Sequence, residues 1–451
     1  MMIHRYFRDR RLSVGVLGML ALTSGLVLTG CHGLLDTTNP MFISEHDVAN
    51  ATGADGLRIT AVTSWIYDVG STAYDVALFT DELSFDTYSG NSMNPDWMLD
   101  LRDGVGYEAY YAQRQADPHL QHLAQDVSNT ALAIPSMRQY GDPATKNEYL
   151  AQLFTIRGHA ILQMAEDLCP GFPINDIDAV KRPILSQPYT TDSALHYAIT
   201  QFDSALAHGH DSIQFVNSAR VLRGRALLDL GDYDAAAAAV SAVPDDFIYA
   251  TPSPQGFSNY FYGLMYYNDW SYTGYPVGDR DGRNGLAFVS ENDTIRIKPF
   301  YKQQRITDTS VAEYGTNAYG QEEPYRVASG TEARLIEAEV AYQHDDPSWF
   351  VILNTLRKHG GLDTLIAMPT TDTGKVNLIY HERAFWLYLT AHRLGDLRRL
   401  IRHYQRNAED VFPTGDYPIL GKRYQTATAI PFVQKTEQLY NPNITSGCTT
   451  R

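Results

Sequence analysis

The chain is short of two things that decide much about a protein: cysteine, with only three residues, and positive charge. Its 36 Lys and Arg stand against 52 Asp and Glu, a formal net charge of −16. That excess of carboxylate excludes nucleic acid as a partner, because phosphates demand the opposite sign. The sequence has no P-loop, no dinucleotide fingerprint and no Gly-x-Ser-x-Gly elbow, so it shows no catalytic signature and implies no cofactor. His381-Glu382-Arg383 with His392 lacks the i, i+4 His pair of a zinc metalloprotease, and no metal is expected there. Beyond the N-terminus no apolar run approaches the roughly 20 residues that span a bilayer.

The most specific stretch is the N-terminus. Arg5, Arg8, Arg10 and Arg11 make a positive n-region, followed by an apolar run from Val14 through Leu28 of signal-peptide length. It ends in Leu28-Thr29-Gly30-Cys31, which resembles the lipobox of bacterial lipoproteins. There the Cys thiol takes a diacylglyceryl group and becomes the new N-terminus, and small preceding residues let the cleaving enzyme reach the backbone. The bland rival is an ordinary signal peptide with a chance Cys, or a short anchor helix. Residue 32 is His, not the Asp that marks inner-membrane retention in many Gram-negative lipoproteins, so the resemblance implies outer-membrane sorting. Acyl chains contribute about 0.8 kcal/mol per buried CH2, so a multiply acylated Cys31 anchors the protein without a spanning segment.

Cleavage before Cys31 removes 30 of 451 residues and leaves 421. It also removes four Arg and one Asp, leaving 32 basic and 51 acidic residues, a net charge of −19. Cys169 and Cys448 remain, an even pair in an oxidising compartment, which permits a disulfide without requiring one.

The legible parts of the chain are helical. Three- and four-residue apolar steps predict helices near 117–139 and 147–168, with Leu150, Leu153, Phe154, Ile161 and Leu162 inward, until Pro170-Gly171 stops the second. Further helices are predicted from Thr191, near 216–230 and near 232–242. Gly224 and Ala226 before the Gly231-Asp232-Tyr233 turn, with Ala235 and Ala236 after it, resemble a tetratricopeptide repeat, though a generic helical hairpin reads the same way. Residues 245–330 are rich in Tyr, Gly, Asn, Asp and Pro, and long ordered loops of that size usually have a function. Helices return near 329–343 and 347–358, then a long one at 376–404, before a tail of loop and short extended segments from Asn407. Trp65, Trp349 and Trp386 sit in helical pattern and are expected in the core.

A family resemblance enters in the last third. Glu332-Ala333-Arg334-Leu335-Ile336-Glu337-Ala338-Glu339 precedes Leu353-Asn354-Thr355-Leu356-Arg357, then Glu382-Arg383-Ala384-Phe385-Trp386-Leu387 and His392-Arg393-Leu394-Gly395-Asp396-Leu397-Arg398-Arg399. Ile430-Pro431-Phe432, Glu437 and Asn441-Pro442-Asn443 close the series. In this order, and with the lipobox, they resemble the SusD/RagB family of nutrient-uptake outer-membrane lipoproteins. The resemblance implies a mostly α fold of tetratricopeptide-like helix pairs with long irregular loops. A signal peptide (1–30) would precede one large SusD-like domain (31–451), comprising a helical-repeat part (117–243), a loop-rich part (245–330) and a C-terminal helical part (331–451). It also implies a cell-surface protein, lipid-anchored in the outer membrane, that binds a glycan or other oligomeric nutrient. Such a protein sits as a lid on a TonB-dependent transporter of the SusC type and makes or breaks no bond.

Two loop clusters carry the binding expectation, because sugar rings pack apolar faces on aromatic side chains while polar groups take their hydroxyls. They are Tyr88, Asn91 and Trp97, and Trp270, Tyr272 and Tyr275 with Arg280. Core packing is the competing reading for each. Asp279-x-Asp281-Gly282-x-Asn284 starts like a calcium loop but has Ser290 where the bidentate Glu belongs, so a solvated turn is expected. Asp81-Glu82, Glu382, Arg383, Arg393, Asp396, Arg398 and Arg399 are read as structural ion-pairing residues. The rival functions are a glycan-active enzyme, which needs two facing carboxylates, and a helical scaffold with a peptide-binding groove.

Overall fold

Local signals set where the helices begin. Asn50 caps α1 (Ala51–Phe79), its side-chain oxygen accepting from Gly53 N at 2.9 Å. After strand β1 (Asp86–Thr87) come α2 (Pro95–Asp100) and α3 (Gly104–Arg114), the latter capped by Asp103. Asp117 caps α4 (Pro118–Tyr140), whose first residue is Pro, where a missing N–H costs nothing. Next are α5 (Lys146–Asp167), β2 (Asp176–Ile177) and β3 (Pro183–Ile184). Thr190 and Ser193 form a reciprocal capping box at α6 (Thr191–His208), followed by α7 (Ile213–Leu230) and α8 (Tyr233–Val240).

The irregular stretch holds β4 (Ile248–Ala250), β5 (Thr273–Gly274), β6 (Pro299–Gln304), β7 (Ala312–Thr316) and β8 (Arg326–Ser329). The strands pair two by two and antiparallel: β1 with β5, β2 with β3, β4 with β8, β6 with β7. The C-terminal part contributes α9 (Gly330–Gln343), α10 (Ser348–His359), α11 (Asp372–Trp386), α12 (Arg393–Tyr404) and α13 (Gln434–Tyr440). The computed structural model describes residues 49–448 except 88–94, 179–181, 210–211, 252–272, 306–308, 321–322, 366 and 418–420. Cys31 and the proposed signal peptide lie outside the described residues, which all belong to the unit Val48–Arg451.

Helix α5 is the axis of the core: every residue from Leu150 to Asp167 is buried. A helix enclosed on all sides must find partners for its polar groups. Arg157 donates to Val127 O at 2.7 Å and to Asp176 at 2.7 Å, and His159 Nδ1 faces Trp65 Nε1 at 3.3 Å. Small residues let the neighbours close in. A methyl group on Gly158 would stand 2.5 Å from the Phe202 ring, and one on Gly224 would stand 2.4 Å from Val240 Cγ1. The helix pairs α5–α6 and α7–α8 thus pack at glycine contacts, as tetratricopeptide-like pairs do. Trp65 and Trp349 are buried, while Trp386 is half-buried.

Three expectations are corrected. The predicted helix 376–404 is two helices, interrupted at 387–392 where Leu389 and Ala391 adopt φ of 56° and 58°. The cause is tertiary: Leu389 N donates to Glu82 Oε1 at 2.8 Å and Tyr388 Oη to Glu82 O at 3.0 Å. The tail is not all loop, since α13 lies within it. The turn at 279–285 is only partly solvated: Arg280 and Arg283 are exposed, but Asp281 is 6% exposed, and Asp279 accepts from Val289 N and Ser290 N.

Cys169 and Cys448 are bonded, with Cα atoms 5.3 Å apart across a sequence separation of 279. The bond ties the C-terminal tail to the end of α5, beside the bridge between Leu168 and Ile430.

Candidate functional site

Pairing of β1 with β5 sets Asp86 opposite Gly274 and Thr87 opposite Thr273. It joins two segments that the sequence separates widely, each adjoining in sequence one of the predicted aromatic clusters. Beyond β5, Tyr275 Oη donates to Asp96 Oδ2 at 3.2 Å. The Tyr275 ring meets Tyr74 of α1 edge-on at 5.0 Å and Phe85 at 5.4 Å. On α3, the Tyr111 ring meets Tyr107 at a tilt, with centroids 4.8 Å apart, and Tyr110 edge-on at 5.0 Å. Electrostatic coupling of Tyr74, Tyr107 and Tyr111 to both Asp75 and Asp96 makes these residues one group. Tyr107 is its buried base; Tyr74, Tyr110, Tyr111, Tyr275, Asp75 and Asp96 are half-buried.

Burial, then the nearby Asp75 charge, pushes the Asp96 carboxyl up to about 6, against the hydrogen bonds from Tyr275 and Tyr74. Burial likewise raises the phenols of Tyr74, Tyr107 and Tyr111 above their usual range. Beneath them, His119 is held between Asp75 at 2.9 Å and Asp167 at 3.3 Å. Burial alone would lower its pKa, but the two carboxylates overcome that and raise it to about 10. His119 is therefore an imidazolium that donates from both nitrogens. The group offers aromatic faces beside carboxylate and phenol oxygens, chemistry that suits a ligand with apolar ring faces and hydroxyl donors.

Of the residues expected to bind, Tyr275 lies in this group. Trp97 does not stand in a loop: it sits in α2, 1% exposed, against Phe85 and Tyr417, and is core. Arg280 is exposed in a turn of its own, with φ of 58°. Tyr88, Asn91, Trp270 and Tyr272 lie outside the described residues. Sequence reasoning missed Tyr74, Asp75, Asp96, Tyr107, Tyr110 and Tyr111. The i, i+3, i+4 spacing of the α3 tyrosines was the available signal, since it places them on one helix face.

The charged motifs of the last third have another task. Arg383 forks onto Asp396 at 2.9 and 2.8 Å, Arg393 onto Asp81 at 2.7 and 2.9 Å, and Arg399 onto Glu339 at 2.9 and 3.0 Å. Arg399 also reaches Asp229 and Asp396, so α7, α9, α11 and α12 meet in one buried network. Burial opposes ionisation of Asp396, but the Arg383 and Arg399 guanidiniums hold it well below the usual carboxylate range. Glu382, bonded by Arg296 at 2.9 Å and Arg357 at 2.6 Å, is held down at about 2 against its burial, by His381 and these two guanidiniums. Arg398 differs, donating to the carbonyls that end α5.

No family model matches the sequence, and no curated protein matches it significantly. Solved structures do match. A SusD superfamily protein from Bacteroides thetaiotaomicron aligns with a TM-score of 0.62 at 14% identity, covering 88% of this chain and 100% of the other. Surface glycan-binding protein A from Bacteroides uniformis aligns with a TM-score of 0.60 at 12% identity, covering 87% and 99%. A SusD-like carbohydrate binding protein from Bacteroides vulgatus aligns with a TM-score of 0.57 at 15% identity, covering 89% and 93%. Taken with the helix pairs and the ion network they enclose, these alignments give the conclusion that the chain has the SusD-like fold.

Proposed function

We propose that this protein is a cell-surface lipoprotein that binds a carbohydrate and passes it to a TonB-dependent outer-membrane transporter, without enzymatic turnover. The observation that carries the reading is the SusD-like fold over nearly nine-tenths of the chain, shared with structures described as carbohydrate- or glycan-binding. The tyrosine–carboxylate group supplies the chemistry: ring faces for sugar C–H surfaces and oxygen acceptors for hydroxyls. Lipidation at Cys31 supplies the anchor, consistent with the lack, among the described residues, of a helix long and apolar enough to cross a membrane. Tyr88, Asn91, Trp270 and Tyr272 flank the β1–β5 pair in sequence.

The test is purification of the tagged protein from native membranes in mild detergent, with mass spectrometry of what accompanies it. A stoichiometric TonB-dependent β-barrel and a diacylated Cys31 peptide are the expected result. A lipidated protein that arrives alone or with periplasmic partners would remove the transporter from the account.

A further inference from the structure

The buried ion network beside the end of α5 is short of positive charge. Among the described residues, Arg225, Arg383 and Arg399 serve five carboxyls there: Glu166, Asp229, Glu332, Glu339 and Asp396. His392 stands 3.1 Å from Glu332, but burial lowers its pKa. Arg398 donates to the carbonyls of Ala165, Glu166 and Leu168 and to Thr191 Oγ1 rather than to a carboxylate. Arg402 is exposed and pairs with Asp192 of α6. The deficit falls on Glu166 and Asp229, each 5% exposed.

One oxygen of each of these carboxyls faces a guanidinium. Glu166 Oε1 lies 3.1 Å from Arg225 Nε, and Asp229 Oδ1 accepts from Arg399 at 2.6 Å. The other oxygens, Glu166 Oε2 and Asp229 Oδ2, are buried and meet no donor among the described residues. The two carboxyl groups are in hydrogen-bonding contact with each other. Two bare carboxylates cannot make that bond, because neither has a hydrogen to donate. One proton shared between them makes it, as in other carboxyl pairs that occupy a single site. Burial raises the Glu166 carboxyl well above its usual range, against the Arg225 charge and with the Asp229 charge. A cavity with about 10 Å³ open to a water-sized sphere, room for one water, is lined by both carboxyls, Thr191, Arg398 and Arg402. Because Arg402 is exposed, the cavity gives solvent protons a route to the pair.

The pair joins α5 to α7, and α12 lies directly on it: a methyl group on Gly395 would stand 3.1 Å from Glu166 Cδ. We propose that Glu166 and Asp229 hold one proton between them, a pH-sensitive bolt that tightens α5, α7 and α12 in acid and loosens them in alkali. While the proton is bound, a hydrogen bond links the two helices. When it leaves, two like charges face each other in a buried place, where their repulsion is strong. The other charged groups around the pair are Asp167 on α5, Arg225 on α7, Arg398, Arg399 and Arg402 on α12, Asp192 on α6, and Glu332 and Glu339 on α9. Asp167 is engaged by His119 at 3.3 Å. The folded pKa is the raised one, so the stabilisation is complete below the usual Glu range and is lost as pH rises through the raised value. The inference is independent of the carbohydrate reading.

The test is the melting temperature of the full mature protein from pH 5 to pH 9, compared with Glu166→Gln, Asp229→Asn and the double variant. An amide at either position keeps an oxygen for its arginine and an N–H for the opposite carboxyl, with no proton to lose. Each single variant should therefore decline less than the unaltered protein, by about 1–2 °C over that range. The double variant should be no flatter than either single one, because both substitutions remove the same proton. Curves parallel to that of the unaltered protein overturn the proposal. So does a double variant that flattens by the sum of the two, since that describes two carboxyls titrating independently. Should Glu166→Gln fail to fold, Asp229→Asn makes the comparison alone. Infrared difference spectroscopy at pH 7 gives a second reading: the unaltered protein should carry one more protonated carboxyl than either variant. Identical carboxyl bands in variant and unaltered protein mean that no proton sits between the two residues, and contradict the inference.

Discussion

Tyr275 donates its phenol hydrogen to Asp96 across 179 residues of sequence, and this one bond fastens the irregular region to the short helix α2. Tyr275→Phe removes the donor while keeping the ring against Tyr74 and Phe85. The bond holds the Asp96 carboxyl down, so its loss should push that pKa above about 6, which an NMR titration of the side-chain carboxyl would read. The stability cost should be about 1 kcal/mol. An unshifted Asp96 would show that the two groups do not communicate.

The buried network of α11 and α12 is an obligate structural unit. Asp396→Ala leaves the Arg383 guanidinium, itself fully buried, without its forked partner. Breaking such a pair costs about 3–5 kcal/mol, because the remaining charge stays buried and uncompensated. Urea unfolding should show that loss. The pair Arg223–Asp203, with Asp203 half in solvent, serves as the comparison, and Asp203→Ala should cost no more than about 1 kcal/mol.

Acidity should stabilise the fold until the network fails. Burial raises Glu82 and Asp100 to about 8, so between the usual carboxylate range and pH 8 the folded chain holds protons that the unfolded chain has released. Stability from these groups is complete at low pH and is lost as pH rises through about 8. His119, raised to about 10, acts in the same direction: its contribution is complete below about 6.5 and disappears through about 10. Glu382, held at about 2, acts oppositely, contributing above the usual Glu range and failing as pH falls towards 2. The melting temperature should therefore peak near pH 5 and decline towards pH 9. Asp100→Asn should flatten the alkaline decline, and a peak at pH 8 or above would contradict the assignment.

The disulfide closes most of the described chain into a loop. Cys448→Ser should lower unfolding stability by about 2–4 kcal/mol, in the range typical of native disulfides. A chemical denaturation series on the variant would read it. Mass spectrometry of the unreduced protein should show a Cys169–Cys448 peptide pair.

The sequence carried the helices whose signals are local. Apolar steps placed α4 to α7 within a few residues, and Gly224 announced a close helix contact. It could not show the break between α11 and α12, because Leu389 and Ala391 are not residues that favour positive φ; Glu82, some 300 residues earlier, holds them there. Nor could it show that Trp97 is core, since its contact with Tyr417 depends on chain far away in sequence. The pairing of β1 with β5 rests on two residues from each segment, too few for any periodic pattern. The candidate site was half legible for that reason: the aromatic-rich segments stood out, while the tyrosines of α1 and α3 became their neighbours only through the fold.

The central claim is that the Tyr74–Asp96–Tyr275 group and the α3 tyrosines bind carbohydrate, and Tyr110→Ala with Tyr111→Ala tests it most directly. Both rings are half-buried at the surface, so the double variant should fold, which circular dichroism and the melting temperature will report. Isothermal titration with the strongest-binding glycan should then show an affinity loss of about tenfold or more, from two lost ring contacts. An unchanged affinity in a folded double variant would contradict the account and move the binding surface elsewhere on the molecule.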